Sequence, residues 1–565
     1  MRFIDVNRIT GLARTFLDFF SILGVIDTIV VRGFMIPRPE SMKAVITAAY
    51  SLLVILYLVW VILSIIQHSS NLRSRMFDIL LSAFLLSLVF PVQIGGSIVS
   101  FRIVISRVIV FIRKIFVTYF HIQVRLNPAR VLLISFFCVI VIGAILLMMP
   151  AATVDEHGAS VIDAFFTASS ATCVTGLTVQ DTGSFFSHFG QTVILILIQI
   201  GGLGIMTLST LYAIIIGRRL DLREEESIRG ILDQSSSTQM YKLIVQIIKI
   251  TLVIECTGIV LLYMRWMPSM GSPEALRHSL FHSISAFCNA GFSLNSANLT
   301  EYVHDSYINI VIMFLIVFGG FGFVVIDDLV KNTRNLNPFS LRFSRLNVHT
   351  RLVLTTSAFL IIFGTLFVFF FEFDNTLLDL STKDKLIASV FQSVTCRTAG
   401  YNTIDTGALR DITLYICMIL MFIGASPSST GGGIKTTTFT VLILAVRSML
   451  TSRGKVEIYS RTIPHQIVYK SIAIVLFSSS FFVMSSILLL ATQQGGFIDI
   501  LFETFSALGT VGLSTGVTGT LNTFGKIVIT VLMYLGRVGP LTVVLAIGEA
   551  KRVNIEYPIT RIAVG

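Results

Sequence analysis

Charge is the first thing this sequence lacks. Only 13% of its 565 residues are Asp, Glu, Lys or Arg, against about a quarter in an ordinary soluble domain. With 54% hydrophobic residues and a mean hydropathy of +0.85, that scarcity excludes a soluble enzyme and a disordered chain alike. Paired cysteines are missing too. Cys138, Cys173, Cys256, Cys288, Cys396 and Cys417 form no CxxC, which argues against a metal site or a disulfide framework. No Gly-x-Gly-x-x-Gly fingerprint follows a strand pattern, so the chain is expected to carry no nucleotide-binding domain of its own. No signal-peptide cleavage pattern precedes the first apolar stretch, so the hydrophobic segments are expected in the mature protein. No cluster of His, Cys or carboxylates recurs or converges, and a membrane enzyme would need one.

What is there is apolar sequence in span-sized lengths. A transmembrane helix takes about 20 residues, leaving room for about a dozen spans. The net charge of +11, from 42 Lys and Arg against 31 Asp and Glu, could suggest nucleic acid as a partner. Cytoplasmic loops of membrane proteins collect Lys and Arg, and that explains the excess without nucleic acid.

Four segments line up: Phe165–Leu177 (FFTASSATCVTGL), Phe281–Phe292 (FHSISAFCNAGF), Phe391–Tyr401 (FQSVTCRTAGY) and Phe502–Leu513 (FETFSALGTVGL). Each opens with Phe, runs through small residues and ends in Gly before a large apolar residue. Gly176, Gly291, Gly400 and Gly512 stand 115, 109 and 112 residues apart. Apolar helices are expected upstream of each at roughly 131–149, 243–264, 352–371 and 468–491, long enough to span. A second set, at roughly 191–216, 307–326, 412–445 and 525–547, carries Gly201-Gly202, Gly319-Gly320, Gly424-Ala425 and Gly536-Arg537. The short segment between is polar, and irregular backbone at membrane depth needs protein or water around it. The expected fold is therefore an all-α polytopic membrane protein with four linked helix–pore loop–helix repeats around one central pore, plus extra N-terminal membrane helices. The expected division is 1–126 (extra helices), 127–220, 240–330, 350–446 and 466–550 (repeats), and 551–565 (tail).

Charge orients the chain. The inter-repeat loops (217–242, 327–351, 443–470) and the tail hold eighteen Lys and Arg, against five opposite: Arg277, Lys383, Lys385, Arg410 and Lys526. The basic side is cytoplasmic by the positive-inside rule, so the four segments enter from outside. Asp155, Glu156, Asp181, Glu301, Asp305, Asp374 and Asp499 give that mouth an acidic cast attractive to cations.

Glycine frees the backbone to aim consecutive carbonyls at an axis, and rings of carbonyls replace the hydration shell of K+. The expected filter strands are Val174-Thr175-Gly176-Leu177, Asn289-Ala290-Gly291-Phe292, Thr398-Ala399-Gly400-Tyr401 and Thr510-Val511-Gly512-Leu513. One such segment alone would read as close helix packing; four at matched spacing favour a filter. Cys173, Cys288 and Cys396 then read as small packing residues behind it.

At these residues the chain resembles the Trk/Ktr/HKT superfamily of potassium transporters, over roughly Asn127 to the C-terminus. The resemblance also rests on NPAR at 127–130, Gly143 to Pro150, GGLGIMTL at 201–208, GASPSSTGGGIKTTT at 424–438 and GRVGPLT at 536–542. The ending YPITRIAVG at 557–565 is most similar to the bacterial Ktr membrane subunit. The resemblance implies K+ as the transported ion, since all four filters keep Gly, with Na+ coupling left open. It implies a multi-pass protein of the bacterial cytoplasmic membrane, working as a homodimer. It also implies a cytosolic ring protein as partner, with nucleotide bound only on that partner.

The same resemblance makes Ser428-Ser429-Thr430-Gly431-Gly432-Gly433 a mobile intramembrane loop obstructing the pore; a packing kink is the alternative. Lys435 closes the segment and is expected to snorkel toward the cytoplasm. Arg537, at the place of Gly202, Gly320 and Ala425, reads as a fixed charge contacting the loop, or else as the partner of an acid such as Glu503. Glu255 and Glu372 read as structural hydrogen-bond partners. Arg102, Arg107, Arg113 and Lys114 suit a basic helix on the inner membrane surface better than a voltage sensor, because their spacing is irregular. The rival functional class is an alternating-access carrier, whose repeats are usually inverted; these four run in one orientation.

Overall fold

The computed structural model describes residues 128–204, 237–334, 345–452 and 454–547. The expected N-terminal segments, the Arg102–Lys114 stretch, the second half of GGLGIMTL and the tail lie outside the described residues.

Four units of similar build follow one another. The first is α1 (Pro128–Leu147), α2 (Val161–Thr172) and α3 (His188–Leu203). The second is α4 (Ser237–Met270), α5 (Ser272–Cys288), α6 (Ser306–Phe321) and α7 (Phe323–Arg334). The third is α8 (Val348–Glu372), α9 (Thr382–Thr395), α10 (Asp411–Phe422) and α11 (Thr436–Leu450). The fourth is α12 (His465–Thr492), α13 (Phe497–Gly509), α14 (Thr523–Val538) and α15 (Pro540–Ile547). The outer helices α1, α4, α8 and α12 each contain a stretch long and apolar enough to cross a membrane.

The second helices α2, α5, α9 and α13 have 12, 17, 14 and 13 residues. At about 1.5 Å per residue none reaches across a core about 30 Å thick. They dip in and stop. Local sequence starts two of them: the side chains of Ser160 and Ser381 accept the backbone N–H of Asp163 and Asp384. An acid in the first turn adds to the helix dipole's preference there.

Packing closes the units into a ring in chain order. Helix α3 lies on α5, α6 on α9, α10 on α13, and α14 returns to α2. Across that last seam Lys526 Nζ lies 2.7 Å from Asp163 Oδ1. Glycine permits the close fit. A Cβ on Gly201, Gly319 or Gly536 would run into the carbonyl oxygen of Thr172, Phe287 or Leu508, each in the last turn of a pore helix.

The inner helices are shorter than the sequence reading had them. Helix α3 ends at Gly204, α6 at Gly322 and α14 at Gly539, with φ of +79, +90 and +91°. A glycine in this left-handed region is a usual helix stop. Beyond Gly322 the chain continues as α7 at 100° to α6, so the expected continuous spans at 307–326 and 525–547 are each two pieces. In the third unit the break is wider, and residues 423–435 separate α10 from α11.

One element departs from the all-helical expectation. Strands β1 (Val456–Ile458) and β2 (Arg461–Ile463) pair antiparallel, Val456 opposite Ile463. Tyr459 and Ser460 turn the corner with φ of 47 and 60°, as a two-residue type I′ turn requires. The usual Asn-Gly or Asp-Gly signal is missing, which is why sequence reading passed it over. Arg265, paired to Asp305 at 2.7 Å, adds a basic residue to the outer side beyond the five expected there.

Gly319→Ala should lower the apparent melting temperature in detergent, since overpacking against a carbonyl costs about 1–3 kcal/mol. A variant melting with the parent would show that α6 can move off α5 freely.

Candidate ion pathway

The four expected filter segments meet on one axis, joined at their glycines. A Cβ on Gly176 would meet Ala290 O, one on Gly291 would meet Ala399 O, one on Gly400 Val511 O, and one on Gly512 Thr175 O, all under 3.0 Å. Each glycine thus faces the carbonyl before the next unit's glycine, and the fourth faces the first. No side chain fits anywhere on this circle.

The backbone repeats four times as well. The glycines have φ of 94, 70, 79 and 91°. Two residues earlier, Val174, Asn289, Thr398 and Thr510 have φ of 57, 61, 74 and 51°. Positive φ at a β-branched residue is a true outlier, costing on the order of 1–3 kcal/mol and held only where surroundings impose it. Left-handed residues on either side of Thr175, Ala290, Ala399 and Val511 break the strand-like alternation that would turn successive carbonyls to opposite sides.

Four hydroxyls hold these strands from behind. Ser170 Oγ accepts the Gly176 N–H at 3.1 Å, and Ser506 Oγ accepts that of Gly512 at 3.0 Å. In the middle units the hydroxyl donates instead: Ser285 Oγ to Phe292 O at 2.9 Å and Thr395 Oγ1 to Tyr401 O at 2.6 Å. The Tyr401 hydroxyl also donates to Phe292 O, at 2.9 Å, and ties the second strand to the third. Sequence reading missed these four, although each stands five or six residues before its glycine. Leu177, Leu513, Cys173, Cys288 and Cys396 are buried, and all three thiols are free.

On the outer side the four glycines floor a cavity of about 620 Å³, whose wall includes Asp181, Asp405, Asn295, Asn298 and Asn402. Partial burial pushes the Asp181 carboxyl up, but hydrogen bonds from Ser296, Ser184 and Gly183 outweigh it and hold the group below the usual range. The mouth therefore stays negative at neutral pH.

On the inner side lies the break of the third unit. A Cβ on Gly431 would strike Thr398 Oγ1, and one on Gly432 would strike Thr510 Oγ1, so the loop touches the inner end of two strands and only glycine fits there. Thr430 N donates to Gly319 O at 3.3 Å and Thr430 Oγ1 to Phe287 O at 3.1 Å. Ser428, itself at φ 56°, accepts the Phe323 N–H at 2.9 Å, and Ser429 Oγ donates to Ser426 O at 2.7 Å. Gly433 completes the turn at φ 67°.

Arg537 reaches this loop. Its guanidinium donates to Thr430 O and to Gly201 O, bridging the loop to the first inner helix. The alternative pairing with Glu503 does not occur. Glu503 instead accepts from Ser514 Oγ, Thr515 N and Thr518 Oγ1, pinning the chain just outside the fourth strand. Lys435 corrects a second expectation: its ammonium does not snorkel but turns back to donate to Gly431 O at 2.7 Å, with Gly432 O at 3.5 Å, because these loop carbonyls offer a nearer partner than water. Glu372 is the structural acceptor expected, taking Asn375 Nδ2, Thr376 Oγ1, Arg410 N and Thr413 Oγ1. Glu255 is not so served: Gln199 approaches one oxygen at 3.4 Å and the other has no partner.

A family model described as cation transport protein, TrkH, matches residues 99–552. The chain belongs to this family. It is 44% identical to the Ktr system potassium uptake protein B of Bacillus subtilis over 437 residues, 77% of this chain and 96% of that protein. It is 34% identical to the potassium/sodium uptake protein NtpJ of Enterococcus hirae over 453 residues, 79% of this chain and 99% of that one. The crystal structure of the potassium transporter TrkH from Vibrio parahaemolyticus superposes with a TM-score of 0.60 at 17% identity, over 96% of this chain and 99% of the other; at that identity it attests the fold. This TrkH-family protein is a multi-pass transporter of the cell membrane.

Tyr401→Phe leaves Phe292 O with one donor fewer, and Ser506→Ala leaves the Gly512 N–H unpaired; losses of about 1–3 kcal/mol are expected where a buried group is orphaned. Thermal unfolding in detergent should show the larger loss for Ser506→Ala, since Phe292 O keeps Ser285. The reverse order would mean the hydroxyls do not hold the strands as described.

Proposed function

We propose that this protein takes up K+ across the cell membrane, down its electrochemical gradient, through the ring of Gly176, Gly291, Gly400 and Gly512. The observation that carries the reading is the closed circle of glycines and carbonyls, four times the same backbone, beneath a mouth held negative by Asp181. Carbonyl rings substitute for the water of a dehydrated K+ ion. The relatives' names, potassium uptake protein and potassium/sodium uptake protein, point to the same ion, and the second keeps Na+ as a coupled or competing ion. A regulatory ring protein carrying the nucleotide, and a homodimer in the membrane, extend the family resemblance to this chain. The division into repeats at 127–220, 240–330, 350–446 and 466–550 belongs to the same reading.

Growth of a K+-uptake-deficient bacterium on low K+, with and without a ring partner, tests the function; no rescue in either case sinks it. Gly176→Ser should weaken K+ over Na+ discrimination in flux measurements. A side chain there collides with Ala290 O and distorts the carbonyls that stand in for hydration. Unaltered selectivity would take Gly176 out of the filter.

The loop from Ser428 to Gly433 reads as the gate, latched by Arg537 at Thr430 and by Lys435 at Gly431. A barrier limits velocity and leaves affinity to the filter above it. Deleting Gly431–Gly433, or Arg537→Ala, should therefore raise maximal K+ uptake per protein in the membrane, with apparent KM little changed. Slower uptake by well-expressed variants of both kinds would mean the loop is a structural kink.

A further inference from the structure

At each seam between units, an inner-helix position of one unit corresponds to the residue three places before the next unit's filter glycine. Cys288 lies against Gly202 and Arg397 shares a cavity with Gly320. At the corresponding places the third seam has Ala425 and Gly509, and the fourth has Arg537 and Cys173. The chain thus puts an arginine at two seams, the second and the fourth, across the axis from one another. Arg537 is satisfied by two carbonyls. Arg397 is not. It is 9% exposed, its Nε has no partner, and no side-chain hydrogen bond or ion pair of Arg397 occurs among the described residues.

Arg397 borders a small cavity with room for about one water, lined also by Ile316, Val317, Phe321, Ile361, Val394 and the glycine Gly320, with Ala425 at the root of the proposed gate loop. No acid lines it. Arginine does not deprotonate in proteins, so this is a whole positive charge left uncompensated. Ile361 stands near the middle of the span Val348–Glu372, where a buried Arg costs at least about 2.5 kcal/mol and normally marks function. A solely structural side chain here would need no charge.

The neighbouring seam shows what compensation would look like. Ser283 Oγ donates to Glu255 O at 2.8 Å, and Ser393 Oγ donates to Ile361 O at 2.8 Å. Glu255 and Ile361 therefore occupy the same place in successive units. The seam that has Cys288 carries the acid, and the seam that has Arg397 carries Ile361. Charge and countercharge are built into separate seams.

The geometry points to Arg397 as an affinity-setting residue of the pathway: a fixed positive charge behind the third filter strand that weakens K+ binding at the inner end of the filter. It adjoins Thr398, the first residue of that strand. In a low-dielectric interior its repulsion of a cation is little screened, and conduction needs binding weak enough for the ion to leave. This inference rests on the proposed K+ pathway and adds a residue to it. The effect differs from that of Arg537, whose charge is offset by the carbonyls it holds.

The test is initial K+ uptake over a concentration series by cells expressing the full chain, normalised to protein in the membrane. Arg397→Met should lower apparent KM by about threefold or more without raising the maximal rate, while Arg397→Lys stays within about twofold of the parent. Ile361→Glu, which places beside Arg397 the acid its neighbouring seam already has, should lower KM in the same direction with Arg397 intact. It decides the matter if Arg397→Met does not reach the membrane. A KM unchanged in Arg397→Met or Ile361→Glu overturns the inference, as does an Arg397→Lys variant that behaves like Met. If the parent itself shows no saturable K+ uptake, the proposed function falls with it; if the parent transports and only KM fails to move, the assignment of Arg397 alone is lost.

Discussion

Four glycines share a circle in which no Cβ has room, and the remainder of the described fold is arranged to keep that circle closed. Backbone at membrane depth finds no water from the lipid side, so its polar groups must be met by protein or by a pore. The hydroxyls of Ser170, Ser285, Thr395 and Ser506 meet some of them from behind. The pore helices are short because they must end at this depth. The inner helices press glycine onto those ends, at Gly201, Gly319 and Gly536, because a larger residue would hold the strands apart. Strain at Val174, Thr398 and Thr510 is then the local cost of the arrangement, held by packing on every side.

Under the circle the fourfold likeness of the backbone gives way to unlike chemistry. Three of the described inner helices stop at a single left-handed glycine; the third unit alone fills its break with a loop long enough to reach the axis. The seams differ in charge as well. One carries Glu255 and another Arg397, while Arg537 holds the loop and the first inner helix together. In the proposed pathway the symmetric frame would position an ion, and the asymmetric side chains around it would decide how readily that ion leaves.

Along the proposed path the oxygen atoms change in kind with depth. The outer cavity offers Asp181, Asp405 and several amides, suited to attracting a hydrated cation. The circle offers backbone oxygen alone, suited to a dehydrated one. The loop's own carbonyls are already taken, Gly431 O by Lys435 and Thr430 O by Arg537.

Much of this was legible in sequence, because a short local pattern recurring at near-constant spacing, with an apolar helix before each copy, is a one-dimensional signal. The spans of α1, α4, α8 and α12 and the membrane class follow from runs of apolar residues, and the meeting of the four glycine segments could be expected from their likeness. What sequence alone could not decide was partnership. Arg537 donates to residues 107 and 336 positions away, and Thr430 to a carbonyl 143 positions away. Nothing near Arg537 distinguishes those carbonyls from the carboxylate of Glu503. The breaks at Gly322 and Gly539 escaped notice because apolar residues continue on both sides of them, although at the second Pro540 follows and reinforces the stop that the positive φ makes. Arg397 was hidden for the same reason: its isolation is a property of the cavity around it, set by α6 and α8 once the chain has closed into a ring.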